Sequence, residues 1–298
     1  MPDIRVGDAN VYYEIHGVGF PLLMINGFGS STEMWSPFWK GLAGRLQVIL
    51  FDNRGVGRTT APEGPFSIRT MAEDASGLLR ALGFGNAAVY GASMGGMIAQ
   101  ELVLGHPAEV RALILGMTSC GGPHSVPISA ETMQRMRSSV QALPGMGLPG
   151  TVRSAVSLTG SPEYLRMVYS PEFLRDHEAE LLDEGRKVRY PTSLMGYRHQ
   201  QEAVMAFDTY DRLPEIRVPT LVMAGSADML IPPENARILA SRIPAARLRI
   251  FEGAGHGFTR ERMTEATRDM LDFLEAVGVP LEGAMGTDPP RPSAPIPT

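Results

Sequence analysis

Cysteine is nearly absent from this chain. Cys120 stands alone among 298 residues, so no internal disulfide can form. No base-bearing motif surrounds it, which makes it a small buried or loop residue rather than a nucleophile. Long apolar runs are missing as well, and none approaches the ~20 residues of a membrane-spanning helix. The start, Met1-Pro2-Asp3-Ile4-Arg5, lacks the charged and apolar segments of a secretory signal, so a cytoplasmic setting is expected. Basic clusters are also lacking. With 27 Lys and Arg against 32 Asp and Glu, the formal charge is −5, which argues against nucleic acid or an anionic membrane as partner. No Cys/His cluster has metal-ligand spacing, and the pairs Gly27/Gly29 and Gly55/Gly57 lack the remainder of a dinucleotide fingerprint. Neither metal nor cofactor is expected.

What is present is apolar sequence cut into short pieces. A hydrophobic content of 44% allows a substantial core, and α/β folds often reach this length as one unit with an insertion. A β-hairpin is expected over residues 3–17, around Asp8-Ala9-Asn10. Strands follow at 20–25, 46–51, 87–90 and 111–115, with helices at 33–42, 67–82 and 97–105 between them. Ser67 is a good N-cap and Gly83 a plausible helix stop. Such alternation is the signature of a parallel sheet.

The most informative stretch is Val89-Tyr90-Gly91-Ala92-Ser93-Met94-Gly95-Gly96-Met97. A strand runs into a serine flanked by glycines and then directly into a helix, which defines a nucleophile elbow. So tight a turn leaves no space for side chains at Gly91 and Gly95, and it exposes the Ser93 hydroxyl near the positive end of the helix. A serine hydroxyl needs a base held by a third group. Of the six histidines, only His256 lies in a glycine-rich loop after a strand, here the one at 247–251. His16, His106, His124, His177 and His199 fall in a hairpin, a helix end or a helical region. Asp228 is the first carboxylate past the apolar strand at 218–225, followed by a helix over 234–243. An aspartate there can fix the tautomer of His256 and stabilise its imidazolium. The apolar strand before Asn26-Gly27-Phe28-Gly29 supplies the last part. A backbone N–H from this loop, that of Phe28, would join the Met94 N–H in an oxyanion hole.

Asn26-Gly27-Phe28-Gly29, the run Asp52-Asn53-Arg54-Gly55-Val56-Gly57-Arg58-Thr59, the Ser93 elbow, Asp228 and Gly255-His256 together resemble the α/β-hydrolase superfamily. The likeness is to its monomeric, cap-bearing esterase and enol-lactone hydrolase branch, and it covers about residues 4–277. It implies a largely parallel eight-stranded sheet flanked by helices, with Ser93, Asp228 and His256 at the strands' C-terminal ends. One departure stands out: the family's early loop usually opens with His-Gly, and Asn26 occupies the histidine position. A backbone donor survives that change, but the bracing of the loop must differ. Arg58-Thr59 is a milder change. Asp52 reads as a turn organiser, with Arg54 as its counter-charge. Relatives that open epoxides or remove halogens carry aspartate at the elbow, so Ser93 points to acyl transfer instead.

Strand and helix stop alternating from about residue 120 to 213 and resume at Val218. Helical patterns at 129–143, 151–158, 162–168, 171–189 and 191–207 occupy the interval, where the resemblance places a helical cap. Met133, Met136, Met146, Met167, Met195 and Met205 fall there, some suited to an adaptable pocket, though simple packing suits any one of them better. The expected organisation is therefore a hydrolase core of residues 1–119 and 214–278, a cap of 120–213, and a Pro-rich, disordered tail of 279–298 after a helix at 261–277. The expected activity is a serine hydrolase acting on a small to medium, mainly apolar carboxylic ester through an acyl-enzyme, as a monomer or homodimer. A lactone hydrolase with the same residues is the near alternative, and a non-hydrolytic binder or cyclase of the same fold the distant one.

Overall fold

The computed structural model describes residues 2–141 and 161–282. The helix expected at 151–158, Met146 and residues 283–298 of the tail lie outside the described residues. The chain opens with the hairpin β1 (Asp3–Val6) and β2 (Ala9–His16). Its turn is Gly7-Asp8, one residue earlier than expected, because Val6 pairs with Ala9 and Gly7 takes a φ of +55°. β3 (Pro21–Ile25), α1 (Phe38–Ala43) and β4 (Gln47–Phe51) come next. The helix expected at 33–42 is divided, since Pro37 holds Ser36 extended and leaves a 3-10 turn, Thr32–Trp35, before α1. α2 (Ile68–Ala81) starts at Ser67, whose side chain accepts from Thr70 N, and Gly83 follows it at a φ of +78°. β5 (Ala87–Ala92), α3 (Met94–Gly105) and β6 (Val110–Gly116) complete the first half.

Four helices then succeed one another with no strand between them among the described residues. They are α4 (Ala130–Gln141), α5 (Pro162–Val168), α6 (Pro171–Arg186) and α7 (Leu194–Met205). α7 begins three residues later than expected because the Ser193 side chain caps it, accepting from Gly196 N at 3.0 Å. β7 (Thr220–Gly225), α8 (Glu234–Arg242), β8 (Arg247–Phe251), the short α9 (Phe258–Glu261) and α10 (Met263–Ala276) finish the fold. Residues past 278 begin as docked chain, not free tail: Val279 is buried, and Glu282 N donates to Arg45 O at 3.0 Å.

The strands form one eight-stranded sheet in the order β1-β2-β4-β3-β5-β6-β7-β8. β2 runs antiparallel to β1 and β4, and every pair from β4 to β8 is parallel. Helices on both faces explain why the central strands read as continuous apolar runs. Residues still alternate between two cores. Leu23, Ile25, Val89, Leu113, Leu115 and Val222 face α2, α3 and α8, whereas Leu22, Met24, Tyr90, Ile114 and Met223 face α1 and α10. Each large side chain taken from water there stabilises the fold by roughly 1.5–3 kcal/mol. The chain goes outward from β3 to β4 and returns to β5 on the other side of β3. The crevice at the C-terminal ends of β3 and β5 is thus a topological switch point, where open α/β sheets bind ligands.

Candidate active site

The elbow after β5 is sterically tight. Ser93 has φ 56° and ψ −121°, a conformation that L residues rarely adopt. The surroundings force it. A Cβ on Gly91 would come within 2.3 Å of Gly95 O, and one on Gly95 within 2.0 Å of Ile25 O. Ser93 N donates to Gly116 O at 2.9 Å, tying the turn to the end of β6. Met94 is the first residue of α3, so its N–H has no acceptor one helical turn back.

Register brings the other segments together. Ile25 pairs with Gly91, so the loop after β3 meets the elbow, and a Cβ on Gly27 would lie 3.2 Å from Ser93 Cβ and 3.7 Å from its Oγ. Gly225 pairs with Phe251, which sets the loops after β7 and β8 side by side. Across them, His256 Nδ1 lies 2.8 Å from Asp228 Oδ2. The second carboxylate oxygen of Asp228 accepts from Leu230 N and Ile231 N, each at 2.9 Å, so both oxygens are held. A carboxylate can only accept, which assigns the shared proton to Nδ1 and leaves Nε2 with its lone pair. Asp228 is 5% exposed and His256 9%, so water competes little for this contact.

Ser93, His256, Phe28 and Met94 line one cavity of about 1030 Å³. Its far wall comes from the helical region: Tyr164, Tyr197 and Val204 line it, as do Met133, Met136 and Met205. Met167, which is buried, and Met195 do not line the cavity, and Met205 lines it from a largely exposed position, so only part of the described methionine set faces the pocket. Burial pushes the Tyr164 phenol up to about 12 and raises that of Tyr197, so both remain neutral donors. Among the described residues no group of three or more His, Cys, Asp or Glu could hold a metal, and no helix is long and apolar enough to cross a membrane.

The turn organiser after β4 has a different counter-charge from the one expected. Asp52 accepts from Thr32 N at 2.7 Å and from Arg58 N and Nε at 2.9 and 2.8 Å. Arg54 instead turns away to Asp74 and Asp8, both at 2.7 Å through Nη2. Two residues along an irregular loop suffice to aim a side chain at a different partner, which charge pattern alone cannot resolve. Cys120 is buried as expected, and burial pushes its thiol up to about 11.

Other contacts around the site carried no sequence signal. Glu261 accepts from Gly255 N at 2.8 Å and from Ser170 N and Oγ at 3.2 and 2.5 Å, while Gly257 N donates to Val168 O at 2.8 Å. Both neighbours of His256 are thereby fastened to the junction of α5 and α6. On the opposite side, Gly29 N donates to Gln200 Oε1 at 2.9 Å and Thr192 Oγ donates to Gly29 O at 2.6 Å. The Asn26 side chain is buried, and its Nδ2 has no partner among the described residues.

A profile of the alpha/beta hydrolase fold matches residues 21–259. The chain belongs to this family. It is 34% identical over 267 residues to a protein named "Putative carbamate hydrolase RutD" from Azorhizobium caulinodans, covering 87% of this chain and 92% of that one. It is 32% identical over 255 residues to a poly(3-hydroxyalkanoate) depolymerase from Ectopseudomonas oleovorans, covering 86% and 84%. Among solved structures it is similar to the enol-lactonase from Burkholderia xenovorans, with a TM-score of 0.76 and 26% identity over 92% of this chain and 100% of that one. The protein is a hydrolase of the alpha/beta fold.

Proposed function

We propose that this hydrolase cleaves small to medium, mainly apolar carboxylic esters through an acyl-enzyme on Ser93. His256 Nε2 takes the hydroxyl proton as Ser93 Oγ attacks the ester carbonyl, and Asp228 holds the ring and stabilises the imidazolium. The N–H groups of Phe28 and Met94 receive the oxyanion, each such donor being worth roughly 2.7–4 kcal/mol. His256 then protonates the departing alcohol, and water repeats the sequence on the acyl-enzyme. The observation that carries this reading is that His256, held 2.8 Å from Asp228, lines the same cavity as the strained Ser93. The apolar substrate class is supported by the cavity's size and its Met, Val and Tyr wall, which suit a hydrocarbon acyl or alkyl group. The relative named as a poly(3-hydroxyalkanoate) depolymerase agrees, since that polymer is a polyester.

A ring-closed ester is the second reading, favoured by the likeness to an enol-lactonase. The chemistry is the same, except that the leaving alcohol stays attached to the acyl group. The relative named for carbamate hydrolysis points to an acyl carbon bearing nitrogen. The large apolar cavity favours the ester over it. The test is sustained release of p-nitrophenol from short-chain esters, abolished in Ser93→Ala, together with fluorophosphonate labelling of Ser93. A wild-type protein that resists the probe, or reacts once without turnover, overturns the proposal. A panel of esters, lactones and carbamates of varied acyl size then ranks the substrate classes.

A further inference from the structure

The loop after β3 carries the expected oxyanion donor, yet Asn26 Nδ2, on its first side chain, has no partner among the described residues. The bracing is found peptide by peptide. The Asn26 carbonyl accepts from Asn53 Nδ2 at 2.9 Å, and the Gly27 carbonyl accepts from Ser30 N at 3.3 Å. In a trans peptide the N–H points opposite to the C=O, so fixing the Gly27 carbonyl fixes the direction of the Phe28 N–H. The next two peptides are pinned from outside the hydrolase core. Gly29 N donates to Gln200 Oε1, and Gly29 O accepts from Thr192 Oγ. The Phe28 ring also rests edge-on against Tyr197, with centroids 4.7 Å apart.

All three outside partners belong to α7 or the turn that leads into it. That helix is firmly seated. Gln200 and Thr192 are fully buried, and Gln200 Nε2 donates to Arg54 O at 3.0 Å, which fixes its amide at both ends. One turn before Gln200, a Cβ on Gly196 would come within 1.9 Å of Gly55 O, so α7 lies directly on the loop after β4. Ser193 matters here too. By capping α7 it leaves Thr192 outside the helix, with its hydroxyl turned to Gly29.

We infer that Gln200 and Thr192 are positioning residues for the Phe28 backbone donor, so that α7 sets the geometry of the oxyanion hole as well as roofing the cavity. This rests on the reading of Ser93 as nucleophile and of the Phe28 N–H as oxyanion donor. Neither Gln200 nor Thr192 touches the reacting atoms. Gln200 fixes the peptide plane next to the donor's and Thr192 the one after it, and a misplacement of about 1 Å in such a group costs on the order of 100-fold in rate.

The test compares p-nitrophenyl butyrate with its thiono analogue, in which sulfur replaces the carbonyl oxygen. Sulfur is a weaker acceptor, so a well-placed oxyanion hole discriminates strongly in favour of the oxygen ester. Gln200→Met and Thr192→Val should lower kcat on the oxygen ester by about 10- to 100-fold with little change in KM. The thionoester rate should fall much less, so that the ratio of the two rates drops by about tenfold. Thr192→Ser keeps the hydroxyl and should restore most of the ratio. Should Gln200→Met fail to fold, the Thr192→Val and Thr192→Ser pair decides alone. A ratio that stays at the wild-type value, whether both rates hold or both fall in parallel, overturns the inference and assigns these residues to stability only. Wild type and Ser93→Ala are measured alongside. Turnover that survives Ser93→Ala overturns the proposed function instead, and the two failures are thereby distinct.

Discussion

The floor and the roof of the cavity are held in different proportions by apolar burial and by hydrogen bonds. The floor consists of strand ends, where Ser93, Asp228 and His256 leave β5, β7 and β8 over apolar cores on both faces of the sheet. Among the described residues, the roof of α4 to α7 has a small apolar cluster of its own, built on Leu165, Leu174 and Leu181. It joins the floor through apolar contacts, with Ala203 of α7 in the core of the sheet and Tyr197 against Phe28, and through a set of polar ones. Glu33 accepts from Arg189 Nε and N and from Tyr190 N, Arg260 reaches Glu180 and Glu184, and Gln200, Thr192 and Ser170 bond the loops of the floor. The difference has a consequence. Apolar burial is cumulative and non-directional, so it fixes the sheet, whereas hydrogen bonds are directional and fix the angle at which the roof meets the site.

Breaking the floor should have the largest effects. In Asp228→Asn the amide oxygen stays with Leu230 N and Ile231 N, so its NH2 faces His256 Nδ1 and reverses the tautomer, and ester turnover is expected to fall by about 10⁴-fold with the fold intact by circular dichroism. A loss under tenfold would detach Asp228 from the mechanism. Gly95→Ala drives a methyl into Ile25 O, for which the floor has no space to yield. Unfolding in urea should show a loss of about 3 kcal/mol, and a wild-type midpoint would mean that the elbow can relax.

The joints between floor and roof should respond less. Glu261→Gln keeps the shape but removes the charge that binds Gly255 and Ser170, and a loss of about 1–3 kcal/mol is expected from the same urea titration. Arg260→Ala deletes two ion pairs whose glutamates are half exposed, at 55% and 49%. Screening there limits the change to about 1 kcal/mol or less, and a larger one would show that the roof depends on charge more than on geometry. The smallest effect should be at Cys120. Its raised thiol stays protonated in the native protein below pH about 11, so a thiol reagent at pH 8 should label it only on unfolding. Rapid native labelling would show that this segment opens.

The floor was largely legible in the sequence because its rules are local. Gly91 and Gly95 flank the serine at fixed offsets, and the strand at 247–251 lies where alternation and the following glycines put it. The helix starting at Pro162 was legible for the same reason, since Ser161 and Pro162 are a cap and a first-turn residue in sequence. The errors are equally physical. The pairing of Asp52 with Arg58 in place of Arg54 depends on how a loop curls, and the split at Pro37 on a restriction that the apolar period conceals. Glu261 and Gln200 lie within helical patterns that carry no local signal of their partners. Their partners lie 91 and 171 residues away in sequence, beyond any periodic pattern.

By itself the sequence determined which chemistry-bearing residues stand at strand ends, because backbone sterics and hydrophobic period act over a few residues. Only the tertiary structure decided how they meet. Parallel register aligned Ile25 with Gly91 and Gly225 with Phe251, bringing four loops to one crevice. It also decided that Gln200 and Thr192 of the roof would hold the loop that Asn26 opens, where Asn26 Nδ2 has no partner among the described residues. Such contacts arise from the packing of whole elements, and a directional bond across that distance exists only once both partners are in place.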